Sequence, residues 1–273
     1  MMIDPKLQAD LRAKFNPDGS DLRNAQLRML DLLKFLDKIC RDNNLEYWLD
    51  SGTLIGASRH GGFIPWDDDV DVCMMKKDAD RLKEIMEDKI WDNHVILQNH
   101  DTDTNYFHPS WMTLRDTKSE YIIDQYYQNI IKYKGFQVDI FIIEENIPEQ
   151  LLKFSRNLYN ILVTAPLMGR HHLSFLRKMV PFNYNFLTKC IHPLFNRLKK
   201  RTDTISSGFG AGFLKIQNKN VVFPLNTIQF EGYKFLCPHD YNAYLRKLYG
   251  NWEILPALDK IHTHEVKFKF LED

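Results

Sequence analysis

Ser51-Gly52-Thr53-Leu54-Ile55-Gly56-Ala57-Ser58-Arg59-His60-Gly61-Gly62-Phe63-Ile64-Pro65-Trp66-Asp67-Asp68-Asp69-Val70-Asp71-Val72 is the stretch that decides how this chain folds. Leu45 to Leu49, just before it, reads as a strand rich in Tyr, Trp and Leu. Gly52-Thr53 then marks a strand-to-helix turn, Leu54 to Arg59 a short helix, and Gly61-Gly62 its end. Val70 to Met74 reads as a second strand. Side chains alternate across a strand, so Asp69 and Asp71 share one face while Val70 and Val72 face a core. Two like charges on one face repel, and beside apolar strands they call for a cation. Oxygen ligands with no neighbouring Cys suit Mg²⁺ or Mn²⁺. Mg²⁺ usually takes one or two protein carboxylates and leaves its other positions to water and substrate phosphates.

A third carboxylate, Asp139, stands alone in the apolar run Gly135 to Ile143. A lone charge in such a strand is costly without a partner. If this strand lies beside the Asp69–Asp71 strand, the three carboxylates meet. They could then hold one or two metals across a phosphate undergoing in-line displacement, or one could accept the proton of an attacking hydroxyl. Asp69, Asp71 and Asp139 are therefore the expected catalytic and metal-ligating residues. Backbone amides at a helix N-terminus bind anions, so Gly52 and Thr53 are expected at a phosphate. Arg59 and His60 follow on the same helix, and Arg59 suits bidentate pairing with phosphate. Arg115 is a further candidate, with a surface salt bridge as its equal alternative. His60 reads equally as a helix-end residue, Trp48 and Trp66 as core aromatics and Glu231 as a turn residue. His262 and His264 read as a solvated tail.

Further out, residues 22 to 42 carry apolar Leu27, Leu30, Leu33, Leu36 and Ile39/Cys40 at helical spacing. Asp78 to Lys89 reads as another helix, Val95 to Gln98 and Ser110 to Arg115 as strands. Val221 to Phe223 and Ile228 to Phe235 read as short strands, and a last helix runs from about Asp240 to Leu248, stopped by Gly250. Residues 150 to 202 differ in kind. They hold no Asp or Glu, but ten basic residues: Lys153, Arg156, Arg170, Arg177, Lys178, Lys189, Arg197, Lys199, Lys200 and Arg201. They read as basic amphipathic helices broken near Pro166, Pro181 and Pro193. Such a segment has three readings: solvated helices, a site for an anionic glycan or lipid-linked pyrophosphate, or a face for anionic membrane. The order of elements predicts a single α+β domain over 1–273, with a helical basic subdomain at about 150–205.

Composition bounds the rest. The 273 residues are 44% apolar and 26% charged, enough for a folded core and a polar surface. Thirty-six basic residues balance 36 acidic ones, which argues against a nucleic-acid binder. The cysteines Cys40, Cys73, Cys190 and Cys237 have no paired spacing, as expected of reduced thiols in the cytoplasm. The N-terminal residues Met1 to Lys6 lack the apolar run of a signal peptide. No run of about 18 apolar residues occurs, so no membrane span is expected.

Tyr47-Trp48-Leu49, Gly52-Thr53-Leu54, Gly56, Arg59-His60, Phe63 through Asp69 and Asp71 together resemble the signature of the LicD/fukutin family of nucleotidyltransferase-fold phosphotransferases. The resemblance extends more weakly to Val138-Asp139-Ile140-Phe141, Phe230-Glu231-Gly232, Pro238, Tyr249-Gly250 and Leu255-Pro256. The family usually has a second glycine where this chain has Ser51. The resemblance implies a nucleotidyltransferase-like mixed sheet flanked by helices. It also implies transfer of a phospho-alcohol, phosphocholine foremost, from a CDP-linked donor such as CDP-choline, with release of CMP. The acceptor would be a hydroxyl of a cell-surface glycan or lipid-linked glycan precursor, as in lipopolysaccharide, capsule or teichoic acid modification. It makes Asp69 and Asp71 the metal carboxylates and Asp139 the third. The expected place of action is the cytoplasm, including the inner face of the membrane. Rival readings are a nucleotidyltransferase attacking the α-phosphorus of an NTP, an Asp-x-Asp glycosyltransferase, and a non-catalytic glycan- or membrane-binding module.

Overall fold

The computed structural model describes residues 2–87, 89–122, 130–164, 171–198, 202–257, 261 and 267–271. His262, His264, Arg170, Lys199, Lys200 and Arg201 lie outside the described residues.

A helix at Pro5–Phe15 (α1), capped by the Asp4 carboxylate, precedes the expected long helix Asp21–Asp42 (α2). In α2 the Ser20 hydroxyl accepts the Arg23 N–H at 3.2 Å, satisfying one of the donors a helix start leaves open. Its buried side carries Met29, Leu32, Leu33 and Leu36, while Leu27, expected on the apolar face, is exposed. Gln26 is fully buried on that side, and its amide donates to the Ile64 and Asp67 carbonyls at 3.4 and 2.8 Å. The core helix thus holds the backbone of the acidic loop.

The main sheet is mixed. Its spine runs β1 (Tyr47–Leu49), β2 (Asp71–Met75), β6 (Gln137–Glu145), β4 (Trp111–Asp116) and β3 (Val95–Gln98). β2 and β6 are parallel, and the other neighbours along this spine are antiparallel. β7 (Thr204–Ser207) joins the C-terminal end of β6, and β8 (Ile216–Asn218) joins β7. The helices Ser51–His60 (α3) and Lys76–Met86 (α4) flank the sheet. This α+β arrangement matches the nucleotidyltransferase-like architecture that the resemblance implies. One large core joins Leu33, Trp48, Val72, Val138, Ile140 and their neighbours, and each such buried aliphatic side chain contributes about 1.5–3 kcal/mol.

Several elements depart from expectation. β2 begins at Asp71, so Asp69 lies on the loop before it and not within the strand. Pairing still reaches one residue back, because Asp139 N–H donates to the Val70 carbonyl at 2.8 Å. α3 starts at Ser51, which puts Gly52-Thr53 inside its first turn. α4 covers Lys76–Met86 and stops before Lys89. Residues 219–222 form one helical turn, where a strand was expected at Val221 to Phe223. Ile228 to Phe235 is not one strand but the hairpin β9 (Asn226–Phe230) and β10 (Tyr233–Cys237). Glu231 and Gly232, at φ +49° and +82°, form its two-residue turn, the geometry that suits strand twist.

The basic segment is helical over its described residues. Glu149–Tyr159 (α5) continues into π-helical turns, with more residues per turn, over Asn160–Thr164, and a second helical run of changing type spans His171–Leu198. Tyr159, Leu162, Val163 and Val180 pack with Phe107, and Leu152 and Leu187 pack with Ile147 and Phe209.

Candidate active site

The three expected carboxylates sit at one end of the parallel pair. Asp71 and Asp139 are direct partners across β2 and β6, and Thr113 of β4 is the partner of Asp139 on the other side. Register partners share a sheet face, so the two acids stand side by side. Asp67, Asp68, Asp69, Asp71 and Asp139 are all half-buried. Burial and the charges of Asp69 and Asp139 push the Asp71 carboxyl well above the ordinary carboxylate range. Burial and the charges of Asp69 and Asp68 do the same to Asp67. Burial also raises Asp139, against the opposing charge of Arg115 and hydrogen bonds from Thr113 and Gln137. These two donors occupy its two oxygens at 2.8 and 3.0 Å.

The loop and α3 are locked onto this edge. Asp71 N–H donates to the Thr53 hydroxyl oxygen at 2.8 Å, and Asp50 N–H donates to the Asp71 carbonyl at 3.0 Å. Thr53 therefore fixes Asp71. Gly52 faces Asp67, and a Cβ there would lie 2.5 Å from an Asp67 oxygen, so a side chain at this position would push the Asp67 carboxylate aside. On the far side of the loop, Glu231 accepts from Arg23 at 2.6 Å and from Phe63 N–H at 3.0 Å. The structural reading of Glu231 holds. Trp48 is buried in the core, and Trp66 packs edge-on against Phe15 and His60.

Arg59, His60 and Arg115 are buried and each is held by protein groups. Arg59 donates to the Trp252 and Ile254 carbonyls at 2.8 and 3.3 Å, and to His60 Nε2 at 3.0 Å. His60 contacts Gln8 through Nδ1 at 2.6 Å, and burial plus the Arg59 charge push it down to about 3. Arg115 donates to Gln98 at 2.8 Å and to the Gly135 carbonyl at 2.9 Å. Arg59 and Arg115 act on the acids through charge: Arg59 opposes the upward shift of Asp67, and Arg115 that of Asp139.

A second cluster behind Asp71 carries residues the sequence reading missed. Asp50 is fully buried and makes no side-chain cap on α3. Its carboxylate instead receives the Lys215 ammonium and the Tyr244 hydroxyl, the latter at 2.8 Å. Burial alone would raise Asp50, but the charge and hydrogen bond of Lys215 and the bond from Tyr244 hold it below its usual range. Burial works against the Lys215 charge too, and Asp50, Cys73 and Asp71 overcome it and raise its pKa. Lys215 also donates to Ser51 Oγ at 2.8 Å and lies over the rings of Phe141 and Phe213. Ser51 itself carries φ +49°, a backbone region that favours glycine.

The donor set suits a hard divalent cation: half-buried carboxylate oxygens whose proton affinity is raised by burial and then by mutual repulsion. Asp69 and Asp71 could hold it, with Asp139 as the third oxygen ligand. Among the described residues no three Asp, Glu, His or Cys side chains are placed to hold one ion together, so the three acids do not form a joint metal site as they stand. Mg²⁺ commonly takes only one or two protein carboxylates and leaves its other positions to water and phosphate. A broad groove of about 1100 Å³ lies at the other end of β2 and β6, lined by Met75, Lys76, Glu144 and Lys219 among others. Its size alone does not mark it as a reaction site, and the mutually repelling acids lie at the opposite strand ends.

Comparison with known proteins fits this geometry. Residues 44–172 match the family model described as LicD/FKTN/FKRP, nucleotidyltransferase domain. The chain is 26% identical over 286 residues to the lipopolysaccharide cholinephosphotransferase LicD of Haemophilus influenzae, an alignment covering 92% of this chain and 98% of that protein. It is 44% identical over 41 residues to ribitol 5-phosphate transferase FKRP of Homo sapiens and of Mus musculus, or 15% of this chain and 8% of each relative. The matched region spans α3, the acidic loop, β2 and β6, so the half-buried acids lie on the part these proteins share, and the matches support an enzyme of the LicD/fukutin kind.

Proposed function

We propose that this enzyme transfers a phospho-alcohol, phosphocholine foremost, from a CDP-linked donor to a hydroxyl of a cell-surface glycan or lipid-linked glycan precursor, releasing CMP. The observation that carries the reading is the side-by-side placement of Asp71 and Asp139 next to the Asp67–Asp69 loop. The relatives add the transferred group: one is named for phosphocholine and lipopolysaccharide, the others for ribitol 5-phosphate.

The acceptor hydroxyl oxygen attacks the phosphorus that bears the alcohol. The bond from that phosphorus to the bridging oxygen breaks, and the oxygen leaves with CMP. Asp69 and Asp71, with Asp139 as third carboxylate, would hold Mg²⁺ or Mn²⁺, whose charge would offset that of the phosphates. Asp139 would also accept the hydroxyl proton, a role supported by the burial that raises its proton affinity. Thr53 keeps Asp71 in place through its backbone N–H. The first turn of α3 offers backbone amides to the pyrophosphate beside Asp67. Four free cysteines, three of them buried, support a reducing compartment and hence action in the cytoplasm.

The test is a donor screen with CDP-choline, CDP-ribitol and CDP-glycerol, reading CMP release with a glycan acceptor. Release from one of them, lost in Asp71→Asn, is expected. Pyrophosphate release from an NTP would replace this reading with nucleotidyl transfer, and UDP or GDP release from a sugar nucleotide with glycosyl transfer.

A further inference from the structure

The helical run His171–Leu198 is apolar on two opposite sides. Its inner side carries Leu176, Val180, Tyr184, Leu187 and Ile191, at successive spacings of four, four, three and four, and these pack into the small cores beneath. Its outer side carries Phe175, Met179, Phe182 and Phe186, spaced by four, three and four. These four are 63%, 48%, 71% and 47% exposed, where a water-facing helix side is ordinarily polar. Phe182 and Phe186 stack with ring planes 5° apart and centroids 6.5 Å apart, forming one continuous apolar ridge. Phe154 and Ile161, in the helical segment just before, are exposed as well, at 56% and 59%.

Charge decides what suits this ridge. Lys178 and Lys189 are exposed along it, and Arg197 is exposed further on in the same run. Residues 150 to 202 hold ten basic and no acidic residues, although the whole chain is balanced at 36 of each sign. An apolar ridge whose exposed charged neighbours on the run, Lys178 and Lys189, are both cationic suits a surface that is apolar within and anionic at its face. A bilayer with anionic headgroups has both properties, and basic helices with bulky apolar side chains lie in its interface. No helix among the described residues is long and apolar enough to cross a membrane, so contact would be with one leaflet only.

We propose that the outer side of His171–Leu198 docks the enzyme on an anionic lipid surface, with Phe175, Met179, Phe182 and Phe186 entering the interface and Lys178 and Lys189 meeting headgroups. Docking would hold the enzyme where lipid-linked acceptors are found. It requires neither donor nor acceptor, so its test stands apart from the phosphotransferase reading.

The experiment is co-sedimentation of the full chain with vesicles of phosphatidylcholine alone, and of phosphatidylcholine with about one third phosphatidylglycerol. Phe182→Ser/Phe186→Ser and Lys178→Glu/Lys189→Glu are compared with the parent chain. Melting curves confirm that both variants are folded, as replacement of exposed side chains allows. Expected is binding to the anionic vesicles, weakened by added salt and by at least about tenfold in each double variant. Failure of the parent chain to bind anionic vesicles would overturn the proposal, as would undiminished binding by folded Phe182→Ser/Phe186→Ser. A parent chain that ignores vesicles yet self-associates in light scattering, and becomes monomeric in Phe182→Ser/Phe186→Ser, would assign the ridge to a second copy instead.

Discussion

Lys215 buries its ammonium against the carboxylate of Asp50, a residue 165 positions earlier in the chain, and the pair stands directly behind Asp71. Their side chains are only 13% and 0% exposed. A pair this deep adds little net stability compared with an apolar pair, yet removing one partner strands a buried charge. Lys215→Met should therefore cost about 3–5 kcal/mol in urea unfolding. Asp50→Asn in the same background should recover much of that loss, because the amide is neutral and its oxygen still accepts the Tyr244 hydroxyl. Equal stability of Lys215→Met and the parent would refute the pair's role.

The acids in front of that pair repel one another, and a cation should relieve the repulsion. Mg²⁺ at about 100 times its dissociation constant should raise stability by about 2.7 kcal/mol. In Asp71→Asn the same addition should give far less, while stability without Mg²⁺ should rise, since one repelling charge is gone. Activity should fall at least about 100-fold in that variant. A melting temperature insensitive to Mg²⁺ in the parent chain would argue against Asp69 and Asp71 as ligands, whatever the assay of CMP shows.

How far the sequence foretold this site depends on the range of the contacts. Asp139 was legible because a lone acid in an apolar strand needs a reason, and its register opposite Asp71 supplies one. The acidic loop was legible from its own spacing. Lys215 was not. It belongs to an irregular stretch before β8, and only the packing of that stretch against the start of α3 brings it to Asp50. Asp50 directly precedes a helix, where an acid usually serves as a cap, and here its carboxylate points to Lys215 instead. Gln26 was hidden within an apolar helix face. The β9–β10 turn did carry a signal: Glu231-Gly232, a polar residue and a glycine at the centre of an apolar run.

Ser51 gives a test of local strain. At φ +49° a side chain costs about 1 kcal/mol relative to glycine. Its hydroxyl repays part of this by donating to Asp50 at 3.1 Å and accepting from Lys215 at 2.8 Å. Ser51→Ala keeps the backbone cost and loses both bonds. Ser51→Gly loses the bonds but removes the cost. The glycine variant should therefore be the more stable of the two by about 1 kcal/mol. Chemical denaturation of the two variants side by side measures the difference, and an alanine variant at least as stable as the glycine one would contradict the strain.

Glu144 lies at the opposite end of β6 from Asp139, and burial raises its carboxyl from an ordinary 4.5 to about 7. One of its oxygens, Oε1, is buried with no hydrogen-bond partner. The folded protein thus keeps a proton there that the unfolded chain has released. Its favourable contribution is complete below pH 4.5 and is lost as pH rises through 7. Glu144→Gln, which cannot ionise, should leave stability near pH 4 almost unchanged. At pH 8 it should raise stability by an amount on the order of 2 kcal/mol. Urea unfolding of both proteins across this range checks the sign as well as the size. A variant that is less stable than the parent at pH 8 would mean that the ionised carboxylate is used, through a cation or ligand in the groove that Glu144 lines with Lys76 and Lys219.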